Sequence, residues 1–199
     1  MLSLSPGPAH VDRAWNYSEH ANMWRITDDF WDNWEALKDM FTRCERWQDH
    51  VKKGCYPDCD MLPLGFLGKG FGQERRSNFT EDEQRTMLTL WCIFGSPLML
   101  GCELTKLDDE TLKLITDEQI LGLLAKGRHG RQLVHTDKFA AWINEPTEEK
   151  AVDKGSYIAL FNLDDERRHV SFNAADYEVS GGRLLEYEIP AHGSVLVKL

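Results

Sequence analysis

Apolar positions recur along this chain in two different rhythms, and the change of rhythm divides it. Met1 to Ser5 alternates weakly and breaks at Pro6-Gly7-Pro8, which predicts a short strand entering a loop. A helix is expected from His10 to about His20, and Met23-Trp24-Arg25-Ile26 reads as the next strand. Thr27-Asp28-Asp29 then reads as a capping sequence before Trp34, Leu37, Phe41 and Cys44, whose three- and four-residue steps make one apolar helical stripe that Gly54 ends. Asp60 to Leu64 predicts a strand closed by Pro63 and Gly65. Thr80 and Glu83 form a capping box for a helix running through Met87, Leu88, Trp91 and Phe94 to Gly95. Pro97 to Leu100 reads as a strand, and Asp108 or Asp109 opens helical segments to about Lys126. Strand and helix thus alternate, as in parallel βαβ units.

Beyond Gly127 the runs become short, alternating and bounded by turns. They fall at Gln132–Thr136, Phe139–Ile143, Tyr157–Phe161, His169–Phe172, Leu184–Tyr187 and Val195–Leu199, an antiparallel β module. The expected domains are residues 1–127 and 130–199, α/β followed by all-β. Four strands with their helices are half of a (β/α)₈ barrel, which needs about 250 residues. An open half would expose unpaired sheet edges, so the chain reads as one that begins in the middle of its first domain.

Composition narrows the function classes. With 42% hydrophobic residues the 199-residue chain can bury a sizeable core, and a net charge of −10 argues against a nucleic-acid partner. No apolar run approaches the ~20 residues of a membrane span. Met1 to Pro8 lacks the pattern of a signal peptide, which leaves the compartment open. Of five cysteines, Cys44, Cys92 and Cys102 read as small buried hydrophobes, so no disulfide framework is expected. Cys55 and Cys59 flank an aspartate, but C-x₃-C without a second Cys/His pair is not a zinc pattern, and neither metal nor cofactor is expected. Six of seven tryptophans precede residue 95, where indoles serve either as core or as faces for stacking on sugars.

In a parallel α/β layout, chemistry gathers where strands end. Arg25 with Asp28-Asp29 marks one such end, although an aspartate there is equally suited to capping the next helix. Asp58 and Asp60 mark another. Two carboxylates across a cleft are a glycosidase's equipment; Asp29 and Asp60 are easily mistaken for such a pair, but pattern alone assigns them no roles.

Three blocks carry a resemblance: Met23-Trp24-Arg25-Ile26-Thr27-Asp28-Asp29-Phe30-Trp31-Asp32, then Cys55-Tyr56-Pro57-Asp58-Cys59-Asp60-Met61-Leu62-Pro63-Leu64-Gly65, then Gly95-Ser96-Pro97-Leu98-Met99-Leu100-Gly101. In order and spacing they resemble glycoside hydrolase family 27, the α-galactosidases and α-N-acetylgalactosaminidases. The resemblance implies the C-terminal half of a (β/α)₈ barrel, strands five to eight, followed by an antiparallel β-sandwich. It implies Asp29 as acid/base four residues after Arg25, and Asp60 and Met61 lining the sugar pocket. Ser5 would face the sugar's 2-substituent, with room for an N-acetyl group. The family's nucleophile, an aspartate in a lysine-x-aspartate context on the fourth strand, has no counterpart in this chain. The implied reaction is retaining hydrolysis of terminal α-D-galactosides or related oligosaccharides, with α-N-acetylgalactosaminidase and β-L-arabinopyranosidase as alternatives. Outside catalysis, the alternatives are a carbohydrate-binding remnant or one half of a split enzyme whose partner is the N-terminal half of the barrel.

Overall fold

The computed structural model describes residues 1–69, 72–125, 128–147 and 154–199. A three-stranded parallel sheet runs in the order β1 (Ser3–Leu4), β2 (Met23–Arg25) and β3 (Tyr56–Asp58). Helix α1 (Ala14–His20) links the first two strands, and α2 (Trp34–Trp47) links the second to the third. Leu37, Met40, Phe41, Cys44 and Trp47 form the buried stripe of α2, because steps of three and four residues return to one helix face.

The cap of α2 is not where the sequence placed it. Asn33 is the N-cap, its side chain accepting from the Ala36 amide at 3.1 Å, so neither Asp28 nor Asp29 serves the helix. The helix also stops at Trp47, well before Gly54, which instead takes φ +84° in the turn leading to β3.

Helix α3 (Glu81–Phe94) carries the predicted capping box between Thr80 and Glu83, and ends on Gly95 in the left-handed region at φ +95°. Its residues from Thr86 to Phe94 are all buried, so it is packed on every side rather than along one stripe. Helices α4 (Asp109–Ile115) and α5 (Glu118–Leu121) follow, capped by Asp108 and Asp117.

Two expected strands shrink to a single parallel bridge between Leu62 and Leu100. Pro63 and Pro97 have no amide hydrogen to extend a ladder, and the true strand lies earlier, at Tyr56–Asp58. A hairpin that the pattern did not predict, β4 (Phe66–Leu67) with β5 (Arg75–Arg76), projects between β3 and α3 in the chain.

Helices give way to antiparallel strands between Ala125 and Arg128, and Gly127 lies outside the described residues. Strands β6 (Arg128–Thr136), β7 (Phe139–Pro146), β8 (Tyr157–Asn162) and β11 (Ser194–Lys198) form a four-stranded sheet in the order β11-β8-β7-β6. Strands β9 (Arg168–Asn173) and β10 (Leu184–Ile189) pair as a separate ribbon. Successive side chains on a strand point to opposite faces. Ala140, Trp142, Ala159 and Phe161 therefore join the core of α2 and α3, while Ala141, Ile143, Ile158 and Leu160 meet Val170, Phe172, Leu185 and Ile189 of the ribbon. Both faces of the sheet are buried, and its central strands are accordingly almost wholly apolar.

His192, in the turn before β11, ties this module to the helices. Its imidazole stacks on Trp34 with centroids 3.8 Å apart. Nδ1 lies 2.6 Å from Glu83 and Nε2 lies 2.9 Å from Asp165, while its carbonyl accepts from Thr86 Oγ1 at 2.7 Å.

Candidate active site

Because β1, β2 and β3 are parallel, their C-terminal ends open on one side, and Ser5, Arg25 and Asp58–Asp60 sit at these three adjoining ends. Arg25 is the hinge of the arrangement. Its Nη2 donates to Asp29 Oδ1 at 2.6 Å and its Nη1 to Asp60 Oδ2 at 2.8 Å. The guanidinium is largely buried at 15% exposure, as is the Asp60 carboxylate at 13%, whereas that of Asp29 is 67% exposed. Of the two carboxylates that Arg25 holds, Asp60 is thus enclosed by protein and Asp29 is open to solvent.

Asp60 has a backbone that its side chain alone does not explain. It stands at φ +76°, in the left-handed region that costs a non-glycine residue about 1 kcal/mol or more. Four ties hold it there. Its Oδ2 accepts from Arg25 and from the Phe30 amide at 2.7 Å, its own amide donates to Asp58 Oδ1 at 2.9 Å, and its carbonyl accepts from Trp91 Nε1 at 3.0 Å. Strain that surrounding bonds over-determine is characteristic of functional positions.

The charges follow from this packing. Burial works against the Arg25 guanidinium, but the hydrogen bonds and charges of Asp29 and Asp60 outweigh it and hold it above its ordinary range. Burial raises the Asp58 carboxyl, and the neighbouring Asp60 charge adds to this, with the Asp60 amide and Arg25 only partly opposing.

The segment after Asp29 is pinned from below. Phe30 is buried against Phe79 and Trp91, with the Trp91 ring centroid 5.0 Å away. The Asp32 carboxylate accepts from Arg75 Nη1 at 2.5 Å, Arg75 Nη2 at 2.8 Å and the Asn78 amide at 2.6 Å. Burial pushes the Asp32 carboxyl up, yet these bonds prevail and hold it below its ordinary value.

Of the five residues singled out from sequence, the structure joins Arg25, Asp29 and Asp60 in one hydrogen-bonded group. Ser5, exposed just past β1, and Met61, half-buried beside Asp60, sit at the adjoining ends without a hydrogen bond to that group. Asp32, Arg75 and Trp91 were not assigned any part in it. Arg75 lies 43 residues from Asp32 in the chain, and no local pattern announces their pairing.

Among the described residues, no group of three or more His, Cys, Asp or Glu side chains is placed to hold a metal. Cys55 donates to the Ser18 carbonyl, while the buried Cys59 lies 3.6 Å from Cys44, sulfur to sulfur, so the C-x₃-C cysteines face different surroundings. Burial pushes the Cys59 thiol well up. Cys102, expected to be buried, is only partly so.

A family model described as Alpha galactosidase A matches residues 8–125. Alpha-galactosidase 2 of Arabidopsis thaliana is 25% identical over 162 residues, which are 78% of this chain and 38% of that protein. The alpha-galactosidase of Cyamopsis tetragonoloba is 23% identical over 167 residues, 83% of this chain and 37% of that protein. The crystal structure of a family 27 β-L-arabinopyranosidase from Geobacillus stearothermophilus aligns with all of this chain and 49% of its own, at a TM-score of 0.88 and 41% identity. This chain therefore spans less than half the length of those curated relatives and about half of that solved structure. On these matches the chain belongs to the alpha galactosidase A family, glycoside hydrolase family 27.

Proposed function

We propose that the chain is the C-terminal portion of a retaining glycosidase that releases a terminal sugar of galactose configuration, with Asp29 as acid/base. The observation that carries this is Arg25, which holds the open carboxylate of Asp29 and the enclosed carboxylate of Asp60 at the same strand ends. Asp60 with Met61 forms the wall of the sugar pocket, and Arg25 orients the sugar hydroxyls beside the reacting carbon. Asp29, protonated, gives its proton to the leaving oxygen, and as a carboxylate it then activates water. The attacking carboxylate, about 5 Å away in a retaining pair, comes from a segment other than these residues. In this reading residues 1–127 are strands five to eight of a (β/α)₈ barrel with their helices, and residues 130–199 are a β-sandwich that buttresses them.

Two sugars share the ring stereochemistry that such a pocket reads. α-D-Galactosides are the substrates named for the curated relatives, while the 41% identity to the Geobacillus enzyme favours a β-L-arabinopyranoside, which lacks the hydroxymethyl group. Ser5, small and exposed, leaves space for a 2-acetamido group, the substituent of the substrate proposed for a Bacillus halodurans protein 36% identical over 87% of this chain.

The test is hydrolysis of the three corresponding p-nitrophenyl glycosides and of an alkyl glycoside by the whole gene product that contains this chain. Asp29→Asn is expected to lower kcat on the alkyl glycoside by about 10²–10⁴-fold, and less on the p-nitrophenyl substrate, whose leaving group needs little protonation. Wild-type rates for Asp29→Asn on the alkyl glycoside would remove Asp29 from the role.

A further inference from the structure

Two aspartates are buried among the described residues, Asp32 and Asp58, and they are treated in opposite ways. Asp32 is compensated: two bonds from Arg75 and one from the Asn78 amide hold its carboxyl below its ordinary value. Asp58, the last residue of β3, has among the described residues one hydrogen-bond donor, the Asp60 amide at 2.9 Å, and no ion pair. Burial raises its carboxyl, the Asp60 charge adds to this, and the Asp60 amide and Arg25 oppose it only in part. The charged form is therefore worse off folded than unfolded, which marks a group kept for something other than stability. Its one bond has a definite geometry. An aspartate that accepts from the amide two residues on makes an Asx turn, a side-chain substitute for a backbone turn. Here that turn falls where β3 stops and Asp60 takes φ +76°. The other ties act on different atoms of Asp60: Arg25 and the Phe30 amide on the carboxylate, Trp91 on the carbonyl. Asp58 alone among these holds the amide, and φ is the rotation between the amide and the carbon that bears the carboxylate.

We infer that Asp58 is a positioning residue for sugar binding, whose carboxyl oxygen acts as an acceptor and not as a charge, and sets the Asp60 backbone so that the Asp60 carboxylate faces Arg25 and the released sugar together. This role rests on the place proposed above for Asp60 in the wall of the sugar pocket. An amide oxygen can make the same Asx turn, a hydroxyl makes it more weakly, and a methyl group cannot make it. Asparagine should therefore serve at position 58, serine should serve poorly and alanine should fail. The pocket wall touches the sugar before and during the reaction alike, so a displaced Asp60 weakens ground state and transition state together and shows in KM, with kcat little changed. Asp29 keeps its own bond to Arg25 Nη2 throughout.

The experiment compares wild type, Asp58→Asn, Asp58→Ser and Asp58→Ala in the whole gene product, on the p-nitrophenyl glycosides named above and below each variant's melting transition. Asp58→Ala is expected to raise KM by about tenfold with kcat within about threefold, Asp58→Ser to fall between, and Asp58→Asn to stay within about twofold of wild type in KM. Asp58→Asn is also expected to raise Tm at about pH 7, because it removes a charge that the folded state disfavours. That gain should vanish at about pH 3, below the ordinary carboxyl value of 3.8, where the aspartate is itself protonated folded and unfolded. In a crystal structure of Asp58→Ala, residue 60 is expected to leave φ +76°. Asp58→Asn as impaired as Asp58→Ala would show that the charge is what matters, and a loss confined to kcat would show that Asp58 acts on the chemical step. Either result overturns the role, as does an unchanged φ at residue 60 in Asp58→Ala. No hydrolysis of any of these glycosides by wild type would overturn the glycosidase reading and the binding role with it, whereas the φ result tests the turn on its own.

Discussion

Replacing Arg75 by alanine removes both guanidinium donors from a carboxylate that is 2% exposed, and leaves Asp32 facing the Asn78 amide. Breaking one side of a buried ion pair usually costs about 3–5 kcal/mol, because the remaining charge stays out of water without its partner. Arg75 is itself 34% exposed, so water can reach part of the space it vacates. The loss should therefore be smaller, about 2–3 kcal/mol, or about 5–10 °C in Tm for a protein of this size. The pH dependence gives a sharper check. Asp32 is held below its ordinary value of 3.8, so its contribution is complete above that value and disappears as the pH falls through the lowered one. The Tm difference between wild type and Arg75→Ala should accordingly be full at about pH 7 and shrink towards about pH 3. Adding Asp32→Asn to Arg75→Ala should recover part of the loss at neutral pH, since the stranded charge is gone. A neutral-pH loss below about 0.5 kcal/mol, or one equally large at both ends of the pH range, would refute the buried-pair argument.

Two further substitutions probe the junction between the helices and the β module. A Cβ built on Gly130 falls 1.6 Å from the Ile93 carbonyl oxygen, so Gly130→Ala must push β6 off the end of α3; a loss of about 2 kcal/mol or more in urea unfolding is expected, and a neutral result would mean that the two elements separate freely. His192 stands at φ +58°, where alanine is strained and glycine is not, so His192→Ala should be less stable than His192→Gly by about 1 kcal/mol, although both lose the Trp34 stack and the Glu83 contact. The reverse order in the same unfolding assay would show that the turn relaxes once the imidazole is gone.

What the sequence made legible was whatever a short window encodes. The Thr80–Glu83 box and the Gly95 stop delimit α3 correctly because both act within one helical turn. The strands of the β module declared themselves as apolar runs between turn residues, and burial of both sheet faces explains why β7 and β8 read Phe-Ala-Ala-Trp-Ile and Tyr-Ile-Ala-Leu-Phe rather than as strict alternation. The misplacements share a cause. Asp28 and Asp29 look like caps, but Asp29 is taken by Arg25 and the chain needs four more residues before Asn33 can start α2. Asp60 to Leu64 looks like a strand, but Arg25, Phe30, Asp58 and Trp91 draw Asp60 into the left-handed region, which no strand continues through. In both cases a tertiary bond to a site residue overrode a local preference, and such departures are expected where function competes with regular structure.

The same bonds explain how strands of two and three residues hold a site at all. A three-residue strand contributes few ladder bonds, too few to fix side chains at its end against thermal motion. Fixation here comes instead from side chains that reach the strand ends from behind. Trp91 of α3 holds the Asp60 carbonyl, Arg43 of α2 donates to the Ile26 carbonyl at 3.0 Å, and the Cys59 amide donates to Ser96 Oγ just past Gly95. Helices α2 and α3 are themselves backed by Trp142, Phe161 and Ala159 of the four-stranded sheet. Phe41 packs edge-on to Phe161 at 5.0 Å, and the turn bearing His192 clamps the starts of both helices through Trp34 and Glu83. The β module thus bears on the ends of β2 and β3 through one intermediate layer, helices α2 and α3. A loosening at the Trp142 layer should reach the site as displaced donors and acceptors before it appears as unfolding, because closely packed layers pass strain on rather than absorb it.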